Sequence, residues 1–361
     1  MRKKEIVFIT SKLSGGGAEG VCINLSNGLV LRGWNVTLVV LNLENADYLN
    51  RLDKRVDLIN LSVKNARYSF FKIKEFVDEK TPNKIVVFNY ELSFLLVILK
   101  IIYFFKFKII ARNISILSER KKLLKGFWKK IVFMQLMNLF YKRVDCIVNQ
   151  SKAMEDDIVK LYNINKDKTR IINNPVNLEV EKDNSKFKKE NYILFVGRLE
   201  EVKAIHYIIN SFYVISQKFP EFRLKLVGKG SLEKELKDLV NKLGIRDSVD
   251  FEGFQGNTIE YYQKAKVTVL TSLYEGFPNV LIESITLGTP IVAFDSPGGI
   301  SEIVEDNLNG FLVPYQNQDI LSEKIEQSLH KNWDQELIKK SAKRFSNDKI
   351  LKEWENLLES M

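Results

Sequence analysis

Short, nearly continuous apolar runs recur along the chain and alternate with longer amphipathic segments. Apolar runs of this kind are typical of parallel strands buried on both faces, and helix-length intervals between them predict crossover helices. Strands are expected at 5–10, 36–41, 84–88, 107–111 and 145–148, and again at 192–196, 224–227, 249–251, 267–270 and 291–293. The pattern therefore predicts an α/β protein with two doubly wound parallel sheets, one in each half.

The domain boundaries follow from a change in composition. Residues 177–191 are polar and rich in Lys, Glu, Asp and Asn, which predicts a linker between a first domain at 1–176 and a second at 192–340. A chain of 361 residues exceeds one typical core, which agrees with two domains. The remaining segment, 341–361, contains an amphipathic helix at about 349–359.

The most informative segment is 274–283, which reads YEGFPNVLIE. It places Glu275 in a Gly/Pro turn and Glu283 in a helix that Pro278 and Asn279 begin, since proline suits the first helical turn. The helix N-terminus is an anion site, and Glu283 needs a hydrogen-bond donor in its otherwise apolar helix. Two carboxylates for hydroxyl groups and a helix end for a pyrophosphate together indicate a nucleotide-sugar site.

Two further segments carry phosphate-binding chemistry. Residues 196–203 read VGRLEEVK, so Arg198 and Lys203 can flank one pyrophosphate at the end of a strand. The glycine-rich loop 14–20 follows the first strand, where backbone N–H groups can approach a phosphate closely. Its spacing also satisfies the dinucleotide fingerprint, but the acid expected at the end of the second strand is missing.

These segments resemble the motifs of retaining glycosyltransferases with the GT-B fold, family 4 or group 1. The residues 275–283 resemble the paired-glutamate motif, 16–19 the Gly-Gly-Ala-Glu opening, and 197–203 the Gly-Arg-Leu…Lys motif, with Ala204 where the family has glycine. Weaker likenesses occur at 172–176, 251–254 and 296–303, and a simple glycine turn explains 251–254 equally well. The resemblance is specific in the second half and loose between 45 and 170.

The resemblance implies two Rossmann-like domains that face each other, with the C-terminal helix crossing back to the first domain. Its catalytic residues would be Arg198, Lys203 and Glu275. Its donor-binding residues would be Gly16, Gly17, Gly253, Phe254, Gly276, Phe277, Pro278, Asn279, Val280 and Glu283. No metal or cofactor is expected: the two cations and the helix N-terminus would stabilise the leaving diphosphate, Glu275 would bind sugar hydroxyls and Glu283 the ribose.

The acceptor side departs from the family pattern. Many relatives carry a histidine in the first domain, whereas here the histidines are His206 and His330, both in the second half. Arg112 and Asn113 stand in the corresponding region. They are candidate acceptor-side residues, with a structural ion pair as the alternative for Arg112.

The charge is concentrated in the first half. Residues 1–150 contain 26 Lys/Arg and 12 Asp/Glu, and residues 100–143 contain 12 bases, one acid and several aromatic residues. This composition suits an anionic membrane surface, although a solvated helix face is the alternative; nucleic acid is not expected because no binding module accompanies the charge. The longest apolar run, 92–105, is interrupted by Lys100 and falls short of the ~20 residues of a membrane span.

The predicted location is cytoplasmic, peripheral on the inner face of the plasma membrane. The first residues lead directly into a strand without a signal-peptide core, and the distant Cys22 and Cys146 are expected to be buried thiols. The predicted function is transfer of a hexose or N-acetylhexosamine from a UDP-sugar, with retention, to a polyprenyl-diphosphate-linked saccharide in capsule, O-antigen or glycan assembly. The alternatives are a UDP-sugar epimerase on the same fold and a non-catalytic nucleotide-sugar-binding scaffold.

Overall fold

The chain folds into two compact units. The computed structural model describes residues 4–123, 126–185 and 187–361, and the side chains of 123 and 127–130 also fall outside the description. The first unit comprises Met1–Asn177 and Asn347–Met361, and the second comprises Leu178–Ser346. The predicted fold class is confirmed, because each unit is a parallel sheet covered by helices.

The first unit, in the part that the structure describes, is built on a seven-stranded sheet in the order β3-β2-β1-β4-β5-β6-β7. Its strands are β1 (Glu5–Thr10), β2 (Asn35–Val40), β3 (Asp57–Asn60), β4 (Lys84–Val87), β5 (Lys108–Arg112), β6 (Cys146–Asn149) and β7 (Thr169–Ile171). All neighbouring strands are parallel. The strand order reverses between β1 and β4, and open α/β sheets bind ligands at such a switch point.

Helices cover both faces of this sheet. They are α1 (Gly17–Leu31), α2 (Phe70–Lys80), α3 (Tyr90–Ile102), α4 (Leu117–Leu123), α5 (Phe127–Phe140), α6 (Lys152–Tyr162) and α14 (Asn347–Ser360). One apolar core lies under α2, α3, α5 and α6, and a second lies under α1 and α14. Burial on both faces explains why the strands read as continuous apolar runs.

The C-terminal helix α14 packs on α1 of the first unit, which confirms that the chain crosses back. A Cβ atom on Gly28 would lie 2.5 Å from Leu351, so this glycine permits the close approach of the two helices. Trp34 Nε1 donates a hydrogen bond of 3.0 Å to Glu355 Oε1, and Arg32 Nη1 donates one of 2.7 Å to Oε2. Burial alone would raise the pKa of Glu355, but these donors hold the pKa below its usual value.

The second unit is built, in its described residues, on a six-stranded parallel sheet in the order β10-β9-β8-β11-β12-β13. Its strands are β8 (Tyr192–Val196), β9 (Arg223–Val227), β10 (Val249–Gly253), β11 (Val267–Leu270), β12 (Ile291–Phe294) and β13 (Gly310–Val313). Its helices are α7 (Leu178–Lys182), α8 (His206–Lys218), α9 (Glu233–Lys242), α10 (Ile259–Lys264), α11 (Asn279–Thr286), α12 (Gln318–His330) and α13 (Gln335–Ala342). The order repeats that of the first unit, and its switch point lies between β8 and β11.

The segment expected to be a linker is attached to the second unit. It contains α7, and Gln263 Nε2 donates a hydrogen bond of 2.6 Å to Asp183 Oδ2. Lys189 Nζ donates one of 2.6 Å to Thr289 Oγ1, and burial lowers the pKa of Lys189 to about 7. Residues 178–185 and 187–191 are therefore held by side-chain contacts within this unit.

Cys22 and Cys146 are free and buried, and burial raises the pKa of both thiols. Of the helices within the described ranges, none combines the length and the apolar character that a bilayer span requires.

Candidate active site

The candidate site lies at the carboxyl edge of the second sheet, at its switch point. Arg198 and Lys203 follow β8, and Glu275 follows β11, its immediate neighbour in the sheet. Because parallel neighbours end at the same edge, the two loops meet there: Leu273 N donates a hydrogen bond of 2.8 Å to Val202 O. Ligands of open α/β sheets bind at this position.

Lys203 and Glu275 form a direct ion pair between Nζ and Oε1. Their side chains are only 17% and 15% exposed, so water screens the pair less than it screens a surface pair. Ser272, which is fully buried, donates a hydrogen bond of 2.7 Å from Oγ to the same carboxylate oxygen. Sequence reasoning missed Ser272; the only signal was a hydroxyl three residues before a turn carboxylate.

A second loop holds the backbone of Glu275. Glu275 N donates to Pro297 O at 3.0 Å, and Gly299 N donates to Glu275 O at 3.3 Å. Between them, Gly298 has φ +130, and a Cβ atom there would lie 1.5 Å from Glu275 O. The 296–303 loop, one of the weaker family likenesses, thus lies directly against the Glu275 turn, and only glycine fits at its contact point.

Gly298→Ala is therefore expected to displace the Glu275 turn. The added methyl group clashes with the Glu275 carbonyl, and the alanine backbone is strained at this φ. Together these effects lower the free energy of unfolding by about 2–4 kcal/mol. Chemical denaturation measures this loss, and sugar transfer should fall with it. Gly256→Ala is the control, because nothing lies within 4 Å of its Cβ position. Equal stability of the two variants would contradict the assigned packing.

The loop that carries Arg198 is shaped by close backbone contacts. A Cβ atom on Gly228 would lie 1.8 Å from Gly197 O, and one on Gly230 would lie 2.2 Å from Leu199 O. Leu199 is buried, whereas Arg198 is exposed. Within the described ranges the guanidinium of Arg198 has no ion-pair partner, so its charge remains available at the edge of the sheet.

Helix α11 begins beside this edge. It starts at Asn279, one residue after Pro278, which has an extended backbone at the cap position and an apolar side chain that cannot cap the first turn. Tyr262 Oη donates a hydrogen bond of 3.2 Å to Glu283 Oε2, which supplies the donor that a carboxylate in an apolar helix requires. Gly288, with φ +76, follows the end of the helix, where glycine is favoured.

The other predicted donor-binding residues differ in how far their side chains are exposed to solvent. Phe277 is only 6% exposed and its ring packs 5.5 Å from Phe345, so it anchors the turn and its ring is turned away from solvent. Phe254 is 44% exposed, and Gly253 before it has φ +68. Gly276 directly follows Glu275, and Val280 lies in the first turn of α11. The structure therefore brings most of the second-half set to one edge.

In the first unit, the glycine loop leads into α1. Gly16 is extended at the cap position and Gly17 is the first helical residue. Gly16 has no side chain with which to cap the helix, and a Cβ atom on Gly16 would lie 2.3 Å from Glu19 Oε2. The carboxylate of Glu19 thus lies over the start of the helix, where it complements the helix dipole.

Arg112 and Asn113, the predicted acceptor-side residues, are both buried at the end of β5. Arg112 Nη2 donates to Asn174 Oδ1 at 2.5 Å, and Asn113 Nδ2 donates to Asn149 Oδ1 at 3.0 Å. Burial lowers the pKa of Arg112 to about 10, so it stays charged at neutral pH. It forms no salt bridge with a described carboxylate. Both residues therefore connect strand ends inside the first unit and do not present exposed side chains.

No group of three or more His, Cys, Asp or Glu side chains is placed to hold a metal ion in the part of the chain that the structure describes.

Two Rossmann-like sheets, with cations and carboxylates at a switch point, define the class of GT-B glycosyltransferases. The Anabaena HepE structure in complex with UDP has this fold: the TM-score is 0.79 at 19% identity, covering 99% of this chain and 100% of that chain. The model of Glycosyltransferase Family 4 matches residues 15–180, and that of Glycosyl transferases group 1 matches 177–347. The chain belongs to this family and is a glycosyltransferase.

Full-length relatives agree with this assignment. An uncharacterized glycosyltransferase of Haemophilus influenzae is 27% identical, covering 99% of this chain and 100% of the relative. A Campylobacter jejuni enzyme is 27% identical, covering 98% of both chains. It is the alpha-1,4-N-acetyl-D-galactosaminyltransferase that acts on a GalNAc-GalNAc-diNAcBac-PP-undecaprenol saccharide.

Proposed function

We propose that this enzyme transfers a hexose or N-acetylhexosamine from a UDP-sugar, with retention and without a metal ion, to a polyprenyl-diphosphate-linked saccharide. The contact between Lys203 and Glu275 carries the proposal, because it joins a phosphate-binding cation and a hydroxyl-binding carboxylate at one ligand-binding edge. UDP in the HepE structure supports the donor, and the undecaprenol-linked substrate of the Campylobacter relative supports the acceptor.

The reaction places negative charge on the leaving group. The bond between the anomeric carbon and the β-phosphate oxygen breaks and its electron pair stays on UDP. An acceptor hydroxyl oxygen bonds to the anomeric carbon, and the hydroxyl proton passes to the departing diphosphate oxygen. Arg198, Lys203 and the N-terminus of α11 stabilise the developing charge in place of a metal ion. Glu275 binds sugar hydroxyls and Glu283 binds the ribose.

The ion pair between Lys203 and Glu275 must open when the donor binds, which sets an order for the steps of binding. Lys203 is engaged by Glu275 before the donor arrives, and the diphosphate competes for the ammonium group. Once Lys203 turns to the phosphate, the Glu275 carboxylate can accept hydrogen bonds from the sugar hydroxyls, while the hydrogen bond from Ser272 keeps the carboxylate oriented. Binding of UDP and presentation of Glu275 to the sugar are thereby linked.

The enzyme works, in this proposal, at the cytoplasmic face of the plasma membrane, in the assembly of a surface polysaccharide or glycan. The excess of basic residues in the first half supports attraction to anionic lipid. Within the basic segment 100–143, residues 124–125 and the side chains of 127–130 lie outside the described residues.

A thermal-shift screen tests the donor. UDP, GDP, ADP, a panel of UDP-sugars and NAD are added separately, and a ligand at about 100 times its Kd stabilises the fold by about 2.7 kcal/mol. We expect UDP and one UDP-sugar to raise the Tm, with NAD as the negative control. A rise with GDP or ADP alone contradicts the proposed donor. Conversion of that UDP-sugar into its epimer without any acceptor contradicts the proposed transfer and favours the epimerase alternative.

A further inference from the structure

A cluster of large apolar side chains projects from the first unit. Five residues form this cluster, here called the aromatic tip: Tyr68 (62% exposed), Phe71 (73%), Ile101 (52%), Ile102 (53%) and Phe104 (85%). Tyr68 precedes α2, Phe71 lies in its first turn, and the other three come from the end of α3 and the loop that leads into β5. Single exposed apolar residues are normal on protein surfaces, but a group of this size on neighbouring segments marks an interaction site.

The parts of the aromatic tip are joined by ring contacts. Phe70 lies between them, with its centroid 5.3 Å from that of Phe71 and 6.4 Å from that of Tyr103. Tyr103 is itself the residue between Ile102 and Phe104. The segments that carry Phe71 and Phe104 therefore form one surface, which is fixed to the core through Phe70.

The backbone holds Phe104 outward at an energetic cost. Its φ is +55, in the left-handed region that bulky L-residues disfavour. A glycine or asparagine would take up this conformation easily, yet the chain has a phenylalanine whose ring is mostly in water. Strain and apolar exposure at the same residue are both unfavourable for the isolated protein, so they indicate a role in binding.

Basic residues flank the aromatic tip. Arg67, Lys72 and Lys106 are exposed within two residues of its members, and Lys74 Nζ lies 4.9 Å from the centroid of the Tyr103 ring. Lys72 and Lys74 are neutralised by ion pairs with Glu75 and Asp78 on the same helix. Among the described residues, Arg67 and Lys106 have no ion-pair partner. Apolar rings flanked by unpaired bases match the interface of an anionic bilayer, where rings enter the headgroup region and bases contact lipid phosphates.

Helix α5 adds a second apolar row on the same unit. Val132, Leu136 and Leu139 are 54%, 36% and 50% exposed and follow the i, i+4, i+7 spacing of one helix face. The neighbouring face of the helix, with Phe133 and Met137, is buried in the core. The helix packs against α3, which carries part of the aromatic tip.

We infer that the aromatic tip is a docking site for an anionic lipid surface, with Phe71 and Phe104 as the residues that insert. The inference rests on the proposed lipid-linked acceptor, since it supplies the means by which the enzyme reaches such a substrate. Docking of this kind differs from electrostatic attraction by basic residues alone, because the insertion of apolar side chains persists when salt screens the charges.

Vesicle flotation tests the docking site with the full-length protein and no donor. The vesicles contain phosphatidylcholine alone or with phosphatidylglycerol, at low and high salt. We expect binding to the anionic vesicles and a loss of about tenfold or more in the double variant Phe71→Ser/Phe104→Ser. The matched control is Tyr213→Ser/Val214→Ser, which removes two exposed apolar residues (37% and 44%) from the second unit and should bind as the native protein does.

The same variants are compared in the UDP thermal-shift assay, which separates failure of docking from failure of the donor proposal. Docking is overturned if the native protein does not float, if both double variants lose binding equally, or if removal of Phe71 and Phe104 leaves binding unchanged. It is also overturned if light scattering shows a native dimer that Phe71→Ser/Phe104→Ser dissociates, since the tip would then bind a second copy of the chain.

Discussion

Arg198→Ala is expected to lower kcat/KM for sugar transfer by about 10²–10³ while the Tm of the unliganded protein stays unchanged. The side chain is exposed and, among the described residues, has no ion-pair partner, so its removal leaves no buried group unpaired. Its charge acts on the leaving diphosphate, which becomes more negative in the transition state than in the bound donor. The measurement is the rate of UDP release in the presence of donor and lipid-linked acceptor.

Arg246→Ala is the matched control for this variant. Arg246 is an exposed arginine of the same unit, on the turn before β10, and within the described part of the chain its side chain hydrogen-bonds only to a backbone carbonyl. We expect native rates from it. A native rate in Arg198→Ala would remove this residue from the mechanism, and an equal loss in both variants would indicate a general effect of net charge.

Glu275→Gln is expected to separate donor binding from turnover. Glutamine keeps the size of the side chain and can still accept the hydrogen bond from Ser272, but it no longer holds Lys203 by charge. The freed ammonium group should bind UDP as tightly as before or more tightly. Turnover should fall by about 10²-fold or more, because a neutral amide binds sugar hydroxyls less strongly than a carboxylate does. Calorimetric titration with UDP and the transfer rate together measure the two effects.

Lys203→Ala provides the comparison, since it removes the cation and leaves the largely buried carboxylate with Ser272. This variant should lose both UDP affinity and turnover, and it should also lose stability, because an unpaired buried carboxylate is costly. If Glu275→Gln weakens UDP binding as much as Lys203→Ala does, the resting ion pair does not compete with the donor.

Both sheets were predictable from the sequence except at three of their four edge strands. The predicted strands agree with the structure to within two residues at each end, because a strand buried on two faces must be apolar throughout. The strands that the apolar pattern missed are β3, β7 and β13, and each lies at the edge of its sheet. Edge strands are short and have fewer buried neighbours; β3 contains no buried position and β7 contains one.

The sequence predicted which residues belong to the candidate site, but it did not predict all of the contacts between them. Motif spacing identified Arg198, Lys203, Glu275 and Glu283, because a strand end, a turn and a helix start have local signatures. The same motif placed Phe277 among the donor-binding residues but gave no indication that Phe345, far along the chain, would hold its ring in the interior. The sequence also gave no indication that Arg112 would be buried.

The sequence by itself determined the two-sheet architecture, the family and the charged groups available for binding a nucleotide-sugar, since these depend on apolar periodicity and local motifs. Only the tertiary structure decided that Lys203 pairs with Glu275, that Ser272 orients the carboxylate and that Gly298 admits the Glu275 carbonyl. The order of strands in the second sheet makes β8 and β11 neighbours although they are distant along the chain. Contacts of this kind arise from sheet order and close packing, and neither has a signature in the local sequence.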